Sequence, residues 1–195
     1  MVRVHDVPFA IAVICFSQIH FDGVYPSGKA WDFGSHIISS NLITPVHLSR
    51  RQWMIKYIDG DIFKSHAQVL VNPVNTVGVM GKGIALEFKK RYPDMFQAYK
   101  DVCDKRELRI GSLMLYHEPD HWVLLFPTKE HWRNPSRIEY IEAGLATFCR
   151  TYAEKGITSA AFPRLGCGNG GLNWADVKPV MEKYLQDLPI DIYIY

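Results

Sequence analysis

The sequence predicts an α/β layered fold with a central, largely parallel sheet. Three observations carry this. Short apolar runs rich in Val and Ile alternate with amphipathic helical stretches from residue 54 onward. Two glycine-rich loops, 78–83 and 166–171, each follow a strand and precede a helix. The 195-residue chain is 48% apolar and 22% charged, with a net charge of only +2. That composition suits one ordinary globular domain and argues against disorder, collagen-like repeats and a coiled coil.

The elements follow in order. Residues 54–58 read as a strand ending at Asp59-Gly60-Asp61. Residues 69–74 form a short apolar run rich in Val, as a buried strand should. Residues 84–91 read as a helix closed by Pro93, and residues 94–104 as a second helix. Strands are expected at 113–116 and 122–126, joined by a turn at Glu118-Pro119-Asp120. Asn134-Pro135-Ser136 should open a long helix to about Lys155, with Ile138, Ile141, Leu145 and Phe148 on one face and Gly156 as its C-cap. A strand at 158–162, a helix at 174–185 and a last strand at 190–195 complete the pattern.

Residues 1–53 differ. They hold one apolar run at 7–16 and scattered glycines among aromatics, with a short strand expected only at 11–15. The chain therefore divides into an N-terminal extension, 1–53, and a regular domain, 54–195. The apolar run lacks a small-residue cleavage site after it, so secretion is not expected. No run of 18 apolar residues predicts a membrane span. The four cysteines, at 15, 103, 149 and 167, have neither zinc-finger nor CxxC spacing. They read as reduced thiols in a cytoplasmic protein.

Several constellations bear chemistry. The loop Val77-Gly78-Val79-Met80-Gly81-Lys82-Gly83-Ile84 precedes a helix N-terminus, where free N–H groups and the helix dipole favour an anion. Its spacing is neither GxGxxG nor GxxxxGK[ST]. A tight turn is the competing explanation. The loop Gly166-Cys167-Gly168-Asn169-Gly170-Gly171 is a second phosphate cradle by the same reasoning. Two such loops at neighbouring strand ends suit a pyrophosphate ligand. Cys167 reads better as a small residue in a crowded loop than as a nucleophile. Asn72 and Asn75 flank Pro73 in a strand that disfavours asparagine, so their amides should face something polar. Lys129, leaving an apolar strand, can attack a sugar carbon if desolvation lowers its pKa, or can be a solvated surface lysine. Trp132 with Arg133 suits a single-stranded nucleic acid, or else the tryptophan is core.

These residues together resemble a known family. Gly60-Asp61-Ile62, the run from Val71 to Ala85, Phe126-Pro127-Thr128-Lys129 through His131-Trp132-Arg133 to Pro135-Ser136, and Pro163-Arg164-Leu165-Gly166 through Leu172 to Trp174 are similar to macrodomain motifs. They are most like the DNA ADP-ribosyl glycohydrolase antitoxins, a branch related to the terminal ADP-ribose protein glycohydrolase. The resemblance spans about 54–195. It implies a three-layer α/β/α sandwich with a mixed, largely parallel sheet that binds ADP-ribose.

By analogy, Asp61 and Ile62 meet the adenine. Asn72, Asn75, Met80, Thr128, the stretch Gly81-Lys82-Gly83-Ile84 and the loop Gly166-Cys167-Gly168-Asn169-Gly170-Gly171 bind the rest of the ligand. Lys129 falls at the catalytic lysine, and His131, Trp132 and Arg133 are candidate DNA contacts. The protein-directed relative carries an aspartate where Gly170 stands, which favours the DNA branch. The implied reaction removes ADP-ribose from thymine in single-stranded DNA, with water as final acceptor and no metal or cofactor. The rival readings are a non-catalytic ADP-ribose reader and a hydrolase of protein-linked ADP-ribose or O-acetyl-ADP-ribose. A monomer is expected, with a cognate DNA ADP-ribosyltransferase toxin as partner and no membrane. A further toxin-binding domain of that branch is not expected before Tyr195, and residues 1–53 have no counterpart in it.

Overall fold

The computed structural model describes residues 54–195. The strand expected at 11–15 and the whole extension 1–53 lie outside the described residues.

Six strands form one sheet: β1 (Ile55–Tyr57), β2 (Val69–Asn75), β3 (Met114–His117), β4 (Trp122–Lys129), β5 (Ser159–Phe162) and β6 (Asp191–Ile194). Their order is β1-β6-β5-β2-β4-β3. All neighbours are parallel except β3 and β4, which pair antiparallel through the 118–121 turn. Four helices cover the sheet: α1 (Gly83–Arg91), α2 (Pro93–Asp104), α3 (Ile138–Thr151) and α4 (Trp174–Leu185). A single 3-10 turn, Ile62–Lys64, which periodicity does not reveal, follows β1.

Alternation along the strands sorts the side chains into two cores. Val69, Val71, Leu124, Phe126, Ala160 and Phe162 face α3 and α4, where Ile141, Leu145, Phe148, Val177 and Met181 meet them. Leu70, Val74, Val123, Leu125 and Ala161 face Phe88 of α1 and Met95 and Tyr99 of α2. Burying one such large side chain stabilises by roughly 1.5–3 kcal/mol. The result is the expected three-layer α/β/α sandwich. Helix α3 comes close to the sheet because residue 144 is glycine. A Cβ there would lie within 2.5 Å of the Phe126 ring edge.

Three expectations need correction. The third helix opens at Ile138, with Arg137 before it, not at 134–136. Ser136 instead donates its backbone N–H to Gly170 O across the fold, which takes that segment out of the helix. The helix also stops at Thr151, so Gly156, at φ +69°, closes a following turn rather than capping it. β4 is longer than expected because Pro127 and, past a bulge at Thr128, Lys129 continue the ladder against β2. Proline is tolerated where its missing N–H falls at a bulge.

Candidate functional site

The carboxyl ends of the three central strands, β5, β2 and β4, open into one cleft of about 740 Å³. In open α/β sheets ligands collect at this edge. Three segments build it: the loop from β2 to α1, the end of β4 with the turn after it, and the loop from β5 to α4.

The first loop is held by Asn75. Its Oδ1 accepts from Val77 N at 3.0 Å, Val79 N at 3.2 Å and Tyr99 Oη at 3.1 Å, and its Nδ2 donates to Val79 O at 2.6 Å. The polar environment expected for this amide is therefore chiefly the loop's own backbone. One Nδ2 hydrogen remains for a ligand. Helix α1 then starts without a capping side chain. Gly83, Ile84 and Ala85 line the cleft at that bare N-terminus, whose N–H groups and dipole attract an anion.

In the second loop, Gly168, Asn169 and Gly170 also line the cleft. The loop folds on itself through Leu172 N to Gly166 O at 3.0 Å and Gly171 N to Gly168 O at 3.2 Å. The two loops meet: a Cβ on Gly83 would stand 2.5 Å from Asn169 Nδ2. Gly170 is equally constrained. A Cβ there would collide with Gly166 O and stand 2.5 Å from Ser136 Oγ. The space a side chain would take at position 170 is thus filled by backbone and a serine hydroxyl.

Lys129 lies between the loops. A β-bulge sets its aim: the step from Val74 to Asn75 on β2 opposes the step from Pro127 to Lys129 on β4, leaving Thr128 unpaired. Lys129 Nζ donates to Asn169 O at 2.5 Å. No carboxylate pairs with it among the described residues. Burial holds its ammonium below the ordinary lysine value. The four charged side chains lining the cleft, Lys82, Lys129, Arg133 and Arg164, are all basic. This lining suits a diphosphate, and the amine suits attack on a sugar carbon beside it.

Of the residues singled out in the sequence, Asn75, Gly81, Lys82, Gly83, Ile84, Thr128, Lys129, Trp132, Arg133, Gly166, Gly168, Asn169 and Gly170 line this cleft. The others lie elsewhere. Asn72 and Met80 are buried beneath the first loop, with Asn72 Nδ2 3.8 Å from Met80 Sδ, because even positions of β2 face α1 and α2. Ile62 is packed in that same core. Asp61 is exposed and accepts from Phe63 N at 3.0 Å, capping the 3-10 turn. His131 packs against Trp132. Cys167 lines an adjoining cleft of about 640 Å³ with Asp59, Gly60 and Trp174. Burial pushes its thiol up, against a nucleophilic role. Gly171 lines neither cleft.

Sequence reasoning missed Arg164 and Ser136. Arg164 borders both clefts and lies 5.4 Å from the Trp174 ring. Its signal was a cation at a strand end beside a glycine loop. Ser136 borders the main cleft with its hydroxyl buried and without a hydrogen-bond partner. Nothing local distinguishes it from an ordinary helix-opening serine. Among the described residues, no group of three or more His, Cys, Asp or Glu could hold a metal ion, and no helix is long and apolar enough to cross a membrane.

Known proteins resemble this chain in sequence and fold. A stretch of 148 residues, 73% of the chain, is 48% identical to a DNA ADP-ribosyl glycohydrolase of Mycobacterium tuberculosis, and covers 42% of that protein. The chain thus spans less than half the length of this curated relative. The solved macrodomain of Mycobacterium tuberculosis DarG is 47% identical, with a TM-score of 0.71 over 73% of this chain and 97% of that one. Thermosipho africanus DarTG, solved in complex with ADP-ribose, is 44% identical with a TM-score of 0.70, covering 73% of this chain and 41% of that one. Residues 71–181, from the middle of β2 into α4, match the Macro domain model, and both glycine loops and Lys129 fall inside them, so the chain belongs to the macro domain family.

Proposed function

We propose that this protein is an ADP-ribosyl glycohydrolase that removes ADP-ribose from thymine bases of single-stranded DNA, and that residues 54–195 are its catalytic unit. The observation that carries the reading is Lys129: an amine at a strand end, between two glycine loops, partly desolvated and without a carboxylate partner. The relatives' names and the bound ADP-ribose of the Thermosipho protein support the choice of ligand and bond.

The proposed reaction runs as a double displacement on Lys129. The bare N-terminus of α1 and the second loop hold the diphosphate. The distal ribose then lies over Lys129. The neutral Nζ attacks the anomeric carbon, the C–Nζ bond forms, and the bond from carbon to the thymine nitrogen breaks with its electron pair on the base. The proton shed by Nζ ends on that nitrogen. Water then adds to the same carbon, the C–Nζ bond breaks, and the amine recovers its proton as ADP-ribose leaves. The lowered pKa matters because only the unprotonated amine is a nucleophile. The resemblance assigns the adenine to Asp61 and Ile62, which lie outside the main cleft, and Asn75 and Thr128 flank the distal ribose. The activity is that of an antitoxin acting as a cytoplasmic monomer, against a cognate DNA ADP-ribosyltransferase that makes the substrate.

The test uses a single-stranded oligonucleotide carrying one ADP-ribosylated thymidine, with a glutamate-linked ADP-ribose peptide in parallel. The protein should release free ADP-ribose from the DNA, and Lys129→Ala should abolish release while still binding ADP-ribose. Tight binding without release would make the protein a reader. Release from the peptide alone would move it to the protein-directed class.

A further inference from the structure

The mouth of the cleft at its Lys129 end carries exposed apolar side chains. Trp132 is 46% exposed, Val77 43% and Val79 38%. These are three of the few large apolar residues left exposed among the described residues. Val77 and Val79 sit on the loop after β2, and Trp132 on the turn after β4. The strands are neighbours, and the two segments are stitched together: Thr76 N and Thr76 Oγ1 both donate to Glu130 O, at 3.2 and 2.8 Å.

The turn that presents Trp132 is itself built. Asn134 N donates to His131 O at 3.0 Å, and Arg133 N donates to His131 Nδ1 at 3.3 Å. The His131 and Trp132 rings stack at 5.4 Å between centroids. The Arg133 guanidinium lies 4.5 Å over the indole. An exposed tryptophan on a braced turn, with a cation at its face, is the combination that binds a base and its phosphate together. The cleft lining contains four basic side chains and no carboxylate, so the mouth complements a polyanion.

We propose that Val77, Val79, Trp132 and Arg133 form a docking platform for the nucleotide next to the modified one, so that the protein reads a DNA strand and not an isolated modified nucleoside. This rests on the glycohydrolase reading above. The modified thymine is held at the anomeric carbon beside Lys129, and the strand must leave the cleft at that end. Its neighbouring base rests on Trp132 and displaces Arg133 from the indole toward the adjoining phosphate. Val77 and Val79 shield the apolar faces opposite.

The experiment compares two substrates: ADP-ribosylated thymidine as a free nucleoside, and the same nucleoside inside a short single-stranded oligonucleotide. The readout is the ratio of their kcat/KM values. The protein should prefer the oligonucleotide by roughly 10- to 100-fold, the equivalent of one base–aromatic stack. Trp132→Ala should bring the ratio near one. Arg133→Ala should reduce the salt slope of the oligonucleotide reaction by about 0.7, one single-strand phosphate contact. Equal efficiency on both substrates, or an equal loss on both in Trp132→Ala, overturns the platform and leaves the glycohydrolase reading standing. No release from either substrate overturns that reading, and the platform with it.

Discussion

Replacing Asn75 with alanine separates two roles that the residue type alone does not distinguish. The side chain makes four hydrogen bonds, to Val77 N, Val79 N, Val79 O and Tyr99 Oη. At about 1 kcal/mol net apiece they would be worth about 4 kcal/mol if all were buried. They are not. Val77 and Val79 are exposed, so their backbone groups turn to water when the amide is gone. The buried Tyr99 hydroxyl keeps its bond to Asn75 O at 2.8 Å. The expected cost is therefore roughly 1–2 kcal/mol, which lowers the melting temperature of a domain this size by about 2–8 °C. ADP-ribose affinity should fall by about tenfold or more, because the loop leading to the bare N-terminus of α1 is no longer preorganised. Thermal unfolding, calorimetric titration with ADP-ribose and amide exchange at Val77 and Val79 check this. If affinity falls while the melting temperature and both exchange rates stay unchanged, Asn75 acts on the ligand directly and the clamp argument fails.

Two further outcomes follow from the same site. On the proposed mechanism only the unprotonated Lys129 attacks, so release of ADP-ribose should rise with pH through its lowered pKa and then level off. A rate that instead climbs toward acid would contradict the nucleophile assignment. The same shift means the folded state binds fewer protons than the unfolded one between the folded and unfolded lysine values, so this group's contribution to stability increases with pH across that window. Gly170→Asp, which introduces the aspartate that the resemblance implies for the protein-directed branch, should not confer activity on a glutamate-linked substrate. Its Cβ meets Gly166 O and Ser136 Oγ, so the loop must shift, with about 1–3 kcal/mol lost and ADP-ribose binding weakened. A stable, ADP-ribose-binding variant with new activity on a glutamate-linked substrate would show that the loop yields.

The elements were legible wherever the signal was local. Val69, Leu70 and Val71 read as part of a buried strand, and they are. Pro93 both ends α1 and begins α2, a consequence of its fixed φ and missing N–H. The start of α3 was misread because the competing bond, Ser136 N to Gly170 O, comes from a distant loop. Asn72 looked functional since asparagine is unusual in a strand. Its burial against Met80 depends on which face of β2 it occupies.

By itself the sequence determined the layered class, the order of its elements and the two loops after buried strands, because periods of two and 3.6 residues and the backbone limits of Gly and Pro act within a few residues. Its motifs also marked Lys129. Only the tertiary structure decided what that lysine meets. The bulge at Thr128 turns it toward Asn169 O, the bare glycine at 83 lets Asn169 close on α1, and the assembled cleft partly buries the amine. Those contacts join segments remote in the chain. Desolvation, which lowers the lysine's pKa, is a property of the assembled cleft and has no local signature.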